Sequence, residues 1–147
     1  MADRSLKVYC AGSMRGGGSW VENLDHISRI VGELGHVPLT EVSGSKEHDV
    51  EVDGSGDQWI YNRDMEWLHM SDCLIAEVSA PSLGVGYEIA VALHEGGLPV
   101  LCLCHESVAT LSAMVHGNTN PLMELQRYSD LDDIRGIISV FLSKIIE

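Results

Sequence analysis

The chain has 147 residues, 45% of them hydrophobic, and a formal net charge of −13 at pH 7 from 22 acidic and 9 basic side chains. That length makes one domain, residues 1–147, with room for a substantial core. The negative charge excludes a nucleic-acid backbone or an anionic membrane as partner, while a small anionic ligand stays open if a few cations are placed locally. No apolar run approaches the roughly 18 residues of a membrane span. Met1-Ala2-Asp3-Arg4-Ser5 leads straight toward a strand with no signal-peptide apolar region, so a cytoplasmic location, with the nucleus also open, is expected.

Strand and helix patterns then alternate. Leu6 to Ala11 reads as a short apolar strand ending in Gly12-Ser13. A helix follows near Ser19; Trp20, Leu24, Ile27, Val31 and Leu34 form a helical stripe, and Gly35 closes it as a C-cap. His36 to Val42 is a second strand candidate. Residues 43–56 are polar and aperiodic, a mobile loop beside a site or an insertion with no role. Asp57 caps a helix running to about His69, with Ile60, Asp64 and Leu68 on one face. Cys73 to Ser79 reads as a buried strand and Ile89 to Leu93 as a helix ended by Gly96-Gly97. Pro99 to His105 is a further buried strand, Ser107 to His116 a short helix and Leu122 to Tyr128 the last strand. Asp130 caps a final helix with the stripe Leu131, Ile134, Ile138, Phe141 and Ile145. Strands in βα order predict an α/β three-layer sandwich on a five-stranded parallel sheet, with flavodoxin-like strand order 2-1-3-4-5.

Cys10, Cys73, Cys102 and Cys104 all fall in predicted strands and read as reduced core thiols, with no zinc spacing to a histidine. No metal and no cofactor are expected. His94, His105 and His116 read as surface or end-of-element residues.

Two loops and two carboxylates stand out. Ser82-Leu83-Gly84-Val85-Gly86-Tyr87-Glu88 joins the third strand to its helix, and the glycines predict a tight turn with Glu88 at the helix start. In a parallel sheet that place is the ligand crevice. Glu88 there can serve as nucleophile or base, or simply complement the helix dipole. Strand one feeds Gly12-Ser13-Met14-Arg15-Gly16-Gly17-Gly18, which should face that loop across the switch point. Glycine N–H groups, the Ser13 and Ser82 hydroxyls and the Arg15 guanidinium together make a phosphate cradle that matches neither a P-loop nor a dinucleotide fingerprint. Asp64 on an apolar helix face is the second carboxylate. Left unpaired and buried it would cost several kcal/mol, so it is either functional, paired with a neighbouring arginine, or solvated on a rotated helix.

The stretches Tyr9-x-x-Gly12-Ser13-Met14-Arg15-Gly16-Gly17, Asp64-Met65-Glu66-Trp67-Leu68, Ala76 to Glu88 and Leu111 to Gly117 occur in order and resemble the nucleoside 2-deoxyribosyltransferase family over residues 6 to about 128. The resemblance implies cleavage of the N-glycosidic bond of 2'-deoxynucleoside 5'-monophosphates. Glu88 would be the nucleophile that forms a deoxyribosyl ester, Asp64 the general acid/base and Tyr9 the assistant to the nucleophile. Ser13, Arg15, Gly16 and Ser82 would hold the 5'-phosphate, with Gly12, Met14 and Gly84 in the same substrate-binding loops. The resemblance also implies a homodimer in which Ser112 and Met114 reach the neighbouring subunit's site. Met14 stands where the family commonly has isoleucine, which bears on base preference.

The chemistry is coherent on its own terms. An oxocarbenium-like transition state is trapped by one carboxylate while a second protonates the leaving base and later activates water. Asp64 on its apolar face is expected to be the raised carboxyl and Glu88 at a helix N-terminus the ionised one. Alternatives are a deoxyribosyltransferase that passes the sugar to a second base and a non-catalytic nucleotide-sensing module. The Gly-Gly-Gly-x-Gly-Thr signature of cytokinin-releasing hydrolases of ribonucleotides is absent, and strand one lacks the terminal Asp of a phosphorylation receiver.

Overall fold

The computed structural model describes residues 4–13, 20–40 and 56–147. Five strands, β1 (Lys7–Gly12), β2 (Val37–Thr40), β3 (Cys73–Glu77), β4 (Val100–His105) and β5 (Met123–Tyr128), form one sheet in the order β2-β1-β3-β4-β5. Every pairing is parallel, as predicted. Each crossover carries the chain back over a face of the sheet, so the central strands are buried on both sides and need continuous apolar runs. Cys73-Leu74-Ile75-Ala76 in β3 and Val100 to Cys104 in β4 supply them.

The pleat sorts these runs into two cores. Val8, Cys10, Ile75, Leu101 and Leu103 pack against α1 (Trp20–Glu33) and α5 (Leu131–Ile146). Tyr9, Ala11, Leu74, Ala76, Cys102 and Cys104 face the opposite side, against Leu68 of α2 (Gly56–Met70) and Val85 and Ile89 of α3 (Leu83–Ala90). The chain thus has the expected three layers. Cys102 and Cys104 share a face, and all four cysteines are free and buried. Burial pushes the Cys73 and Cys102 thiols up to about 12, which keeps them protonated and unreactive.

Several boundaries depart from expectation. α3 starts at Leu83, capped by Ser82, whose Oγ accepts from the Val85 N–H at 3.2 Å. Gly84 and Gly86 therefore lie within the helix, with ordinary negative φ, and do not form a tight turn; the only positive-φ glycines among the described residues are Gly35 and Gly97. A Ser at N-cap outcompetes the turn signal of two helical glycines. α3 runs on through a π-helical turn, Val91–Glu95, to Gly96. The short helix is only α4 (Ala113–His116), capped by Ser112, so residues 107–112 are irregular. Asp57 is not a cap; it lies inside the first turn of α2, where its charge complements the dipole. Gly35, φ 93°, follows α1 as predicted, and Asp130 caps α5 in a reciprocal capping box with Asp133. Leu131, placed in the α5 stripe, is exposed, while Ile134, Ile138 and Phe141 are buried. The expected loop at 43–56 lies outside the described residues except Gly56, as do Ser19 and the predicted strand residues 41 and 42.

Candidate active site

β1 and β3 are neighbours at the switch point, and their C-terminal ends open into a cavity of about 670 Å³. Gly12 and Ser13 come from the end of β1; Pro81, Ser82, Leu83, Gly84 and Glu88 from the β3–α3 connection and α3; Ile60, Tyr61, Asp64 and Met65 from α2. Gly12 has a packing reason for its identity. A Cβ there would lie 2.9 Å from Leu24 Cδ2, and Leu24 is fully buried. Among the described residues, a Cβ on Gly84 would meet only Ser82 Oγ at 4.0 Å, and Gly84 lines the cavity.

Glu88 is the electrostatic anomaly. It sits in the second turn of α3, not at its start, so the helix dipole does little for it. The Tyr9 hydroxyl donates to its Oε2. Burial raises its pKa to about 7, opposed by the Tyr9 bond and Arg63 and assisted by the nearby Asp64 charge. This overturns the expectation of an ionised Glu88. Tyr9 reaches Glu88 because the pleat turns it toward the α2/α3 side, where it is 1% exposed.

Asp64 takes the paired alternative raised by the sequence. Arg63 Nε and Nη2 both donate to its Oδ1, at 3.0 and 2.8 Å. The side chains of Arg63 and Asp64 are only 10% and 13% exposed. Leu68 packs in the core, whereas Ile60, Asp64 and Met65 wall the cavity, which accommodates the carboxylate.

The structure gathers Tyr9, Gly12, Ser13, Asp64, Ser82, Gly84 and Glu88 in one place. Met14, Arg15 and Gly16 lie outside the described residues. Ser112 and Met114 do not join this cavity. They line a second one of about 630 Å³, on the far side of α3, whose opposite wall includes Ser82, Val85 and Gly86. Met114 and Leu83 are 81% and 97% exposed.

Sequence reasoning missed several participants. Tyr61 and Tyr87 line the mouth, their hydroxyls 3.4 Å apart. Their helical positions gave no sign of pairing, since they lie on different helices. Also missed was a buried polar cluster behind Gly12, on the α1 face. Glu77 is 2% exposed and is paired in register with Gly12. It accepts from the Ser79 N–H at 2.6 Å, the Ser79 hydroxyl at 3.0 Å and the Tyr128 hydroxyl. Asn23 of α1 donates to Tyr128 at 2.6 Å. Burial raises the Glu77 pKa, with Tyr128 and Ser79 working against it. A Glu ending an otherwise apolar strand was the available signal.

The sequence pattern of the nucleoside 2-deoxyribosyltransferase family matches residues 8–124. The chain is 38% identical over 140 residues, 92% of itself and 95% of the relative, to a 5-hydroxymethyl-dUMP N-hydrolase of Danio rerio. It is 42% identical over 118 residues, 78% of itself and 92% of the relative, to a Methanococcoides burtonii protein provisionally named 2'-deoxynucleoside 5'-phosphate N-hydrolase 1. Among solved structures, the fold is similar to a CMP N-glycosidase of Clostridium botulinum (TM-score 0.56, 16% identity, 90% of this chain and 98% of that one). It is also similar to a 2-deoxyribosyltransferase of Bacillus psychrosaccharolyticus (TM-score 0.57, 15% identity, 88% and 90%). The chain belongs to the nucleoside 2-deoxyribosyltransferase family.

Proposed function

We propose that this protein hydrolyses the N-glycosidic bond of 2'-deoxynucleoside 5'-monophosphates, releasing free base and 2-deoxyribose 5-phosphate. The observation that carries the reading is the Tyr9–Glu88 contact inside a cavity that also holds Asp64. Relatives named for 2'-deoxynucleoside 5'-phosphates and for 5-hydroxymethyl-dUMP support the substrate class.

The chemistry follows from two carboxylates of unequal surroundings. Burial and the nearby Asp64 charge both favour a protonated Glu88 in the free enzyme. Reaction requires Glu88 ionised and a proton on Asp64. Glu88 then attacks the anomeric carbon as the bond to the base breaks, and Asp64 protonates the departing nitrogen. The product of that step is a deoxyribosyl–Glu88 ester. Asp64, now a carboxylate, takes a proton from water as the water oxygen attacks the same carbon, and Glu88 leaves. Tyr9 donates to Glu88 whenever the carboxylate is free and so holds its second oxygen toward the sugar.

Phosphate recognition falls to Ser13, Arg15, Gly16 and Ser82, with Gly12, Met14 and Gly84 in the adjoining loops. Ser82 accepts from its own helix through Oγ, which leaves its O–H hydrogen to donate to a ligand. Ser112 and Met114 are assigned to the site of a second copy of the chain. Their position on a separate exposed cavity, across α3 from Glu88, favours that arrangement. A cytoplasmic or nuclear location accompanies this reading; no helix among the described residues is long and apolar enough to cross a membrane.

The test is a panel of deoxy- and ribonucleoside monophosphates and the matching nucleosides, with released base measured. Cleavage of the deoxynucleotides, with their nucleosides much poorer, is expected. Equal turnover of nucleoside and nucleotide contradicts the phosphate site, and product that appears only when a second base is supplied makes the protein a transferase.

A further inference from the structure

The approach to Asp64 carries a residue that neither the sequence motifs nor the reaction scheme uses. Trp59, Arg63 and Trp67 are spaced four apart and share one stripe of α2. The Arg63 guanidinium carbon lies 5.1 Å from the centre of the Trp59 ring and 4.5 Å from that of Trp67. A planar cation seated against two indole rings loses most of its rotational freedom, and each contact is attractive. Consecutive residues on a helix diverge by about 100°, so Arg63 must fold back to meet Asp64. The two tryptophans hold it in that fold. Both donors then converge on Oδ1, while Oδ2 takes no hydrogen bond among the described residues.

We propose that Arg63, clamped by Trp59 and Trp67, is a positioning residue of this site: it fixes Asp64 by one carboxylate oxygen, leaves the other for the leaving base, and adds positive potential at Glu88. The inference rests on the hydrolase reading for its catalytic part and on geometry alone for the rest. Among the described residues, the groups that act on the Glu88 charge are Tyr9 from β1 and Asp64 and Arg63 from α2, with the Tyr61 and Tyr87 hydroxyls on the same cavity. Of these only Arg63 is cationic, and it acts to lower the Glu88 pKa. A lysine cannot replace it fully, because an ammonium neither stacks as a plane nor presents a fork of two donors.

The experiment uses the full chain and three variants: Arg63→Gln removes charge and fork, Arg63→Lys keeps the charge, and Trp67→Leu opens the clamp. The first readout needs no substrate. The Glu88 side-chain carboxyl is titrated by carbon-13 NMR. Its midpoint, near 7 in the native protein, should rise by about half a pH unit or more in Arg63→Gln and stay close to native in Arg63→Lys. The second readout is kinetic, with deoxynucleoside monophosphates. Loss of kcat by roughly tenfold or more in Arg63→Gln is expected, with KM within about threefold, a smaller loss in Arg63→Lys and a loss in Trp67→Leu with Arg63 intact. Identical Glu88 titrations in native protein and Arg63→Gln overturn the electrostatic part. A loss carried by KM, or one that tracks melting temperature across the variants, overturns the positioning part. If Arg63→Gln does not fold, Arg63→Lys and Trp67→Leu decide by their kcat against KM. If the native protein releases no base from any monophosphate, the substrate reading fails, and the titration still decides whether Arg63 governs the charge on Glu88.

Discussion

At the scale of single residues, burial raises the Glu88 carboxyl pKa to about 7. Glu88 attacks as a carboxylate, so its titration should appear in kcat/KM as an inflection near 7. An inflection below pH 5 would mean that Glu88 behaves as an ordinary carboxylate or is not the titrating group. The same raised pKa has a cost in stability. Between the ordinary value of 4.5 and about 7 the folded state binds more protons than the unfolded one, so the Glu88 contribution to stability falls as pH rises through that window and is flat above it. Glu88→Gln keeps an oxygen for the Tyr9 hydroxyl and cannot ionise. It should therefore stabilise the protein at pH 8 by roughly 1 to 2 kcal/mol, allowing for its partial exposure, and by nothing below pH 4.5. Thermal melts at the two pH values check this; a variant less stable than native at pH 8 would contradict it. The arrangement is one in which activity is kept at the expense of stability.

At the scale of elements, helix ends and helical glycines give the sharpest expectations. Gly136 lies inside α5, exposed, and a Cβ added there would meet nothing within 4 Å. Gly136→Ala should raise stability by about 0.5 to 1 kcal/mol, because alanine loses less backbone entropy in a helix. A fall in melting temperature would show that another surface covers that face. Ser82→Ala removes the α3 cap and should cost about 1 kcal/mol; as a phosphate ligand it should also raise KM, whereas loss of stability with KM unchanged would confine Ser82 to capping. These elements also show what the sequence made legible. Apolar runs of strand length between helical stripes placed all five strands and their order, because a doubly covered parallel sheet leaves little freedom of pattern. Glu88, Asp64 and Tyr9 were found from motif and resemblance. The charge on Glu88 was misread, because its burial and its contact with Tyr9 are tertiary facts. The start of α3 was missed since Gly84 and Gly86 signal a turn wherever a cap does not override them. The pairing of Tyr61 with Tyr87 and the partners of Glu77 depend on separate elements meeting, and local sequence carries no mark of them.

At the scale of the whole molecule, the cavity walled by Ser82 on one side and by Ser112 and Met114 on the other belongs, in the proposed dimer, to the contact between copies. Glu88→Ala and Ser112→Ala chains should each be weak alone and regain activity on mixing, because a mixed dimer puts both lesions in one site and leaves the other intact. No gain on mixing, or a monomer by light scattering at micromolar concentration, would confine each site to one chain. The central claim, a glycosidase that passes its sugar through Glu88, is tested most directly by mass spectrometry of the protein digested after rapid quenching during turnover of a deoxynucleoside 5'-monophosphate. A deoxyribose 5-phosphate adduct is expected on the peptide that contains Glu88, absent in Glu88→Ala. Base release at undiminished rate with that peptide unmodified, and a Glu88→Ala variant that keeps its kcat, would contradict it.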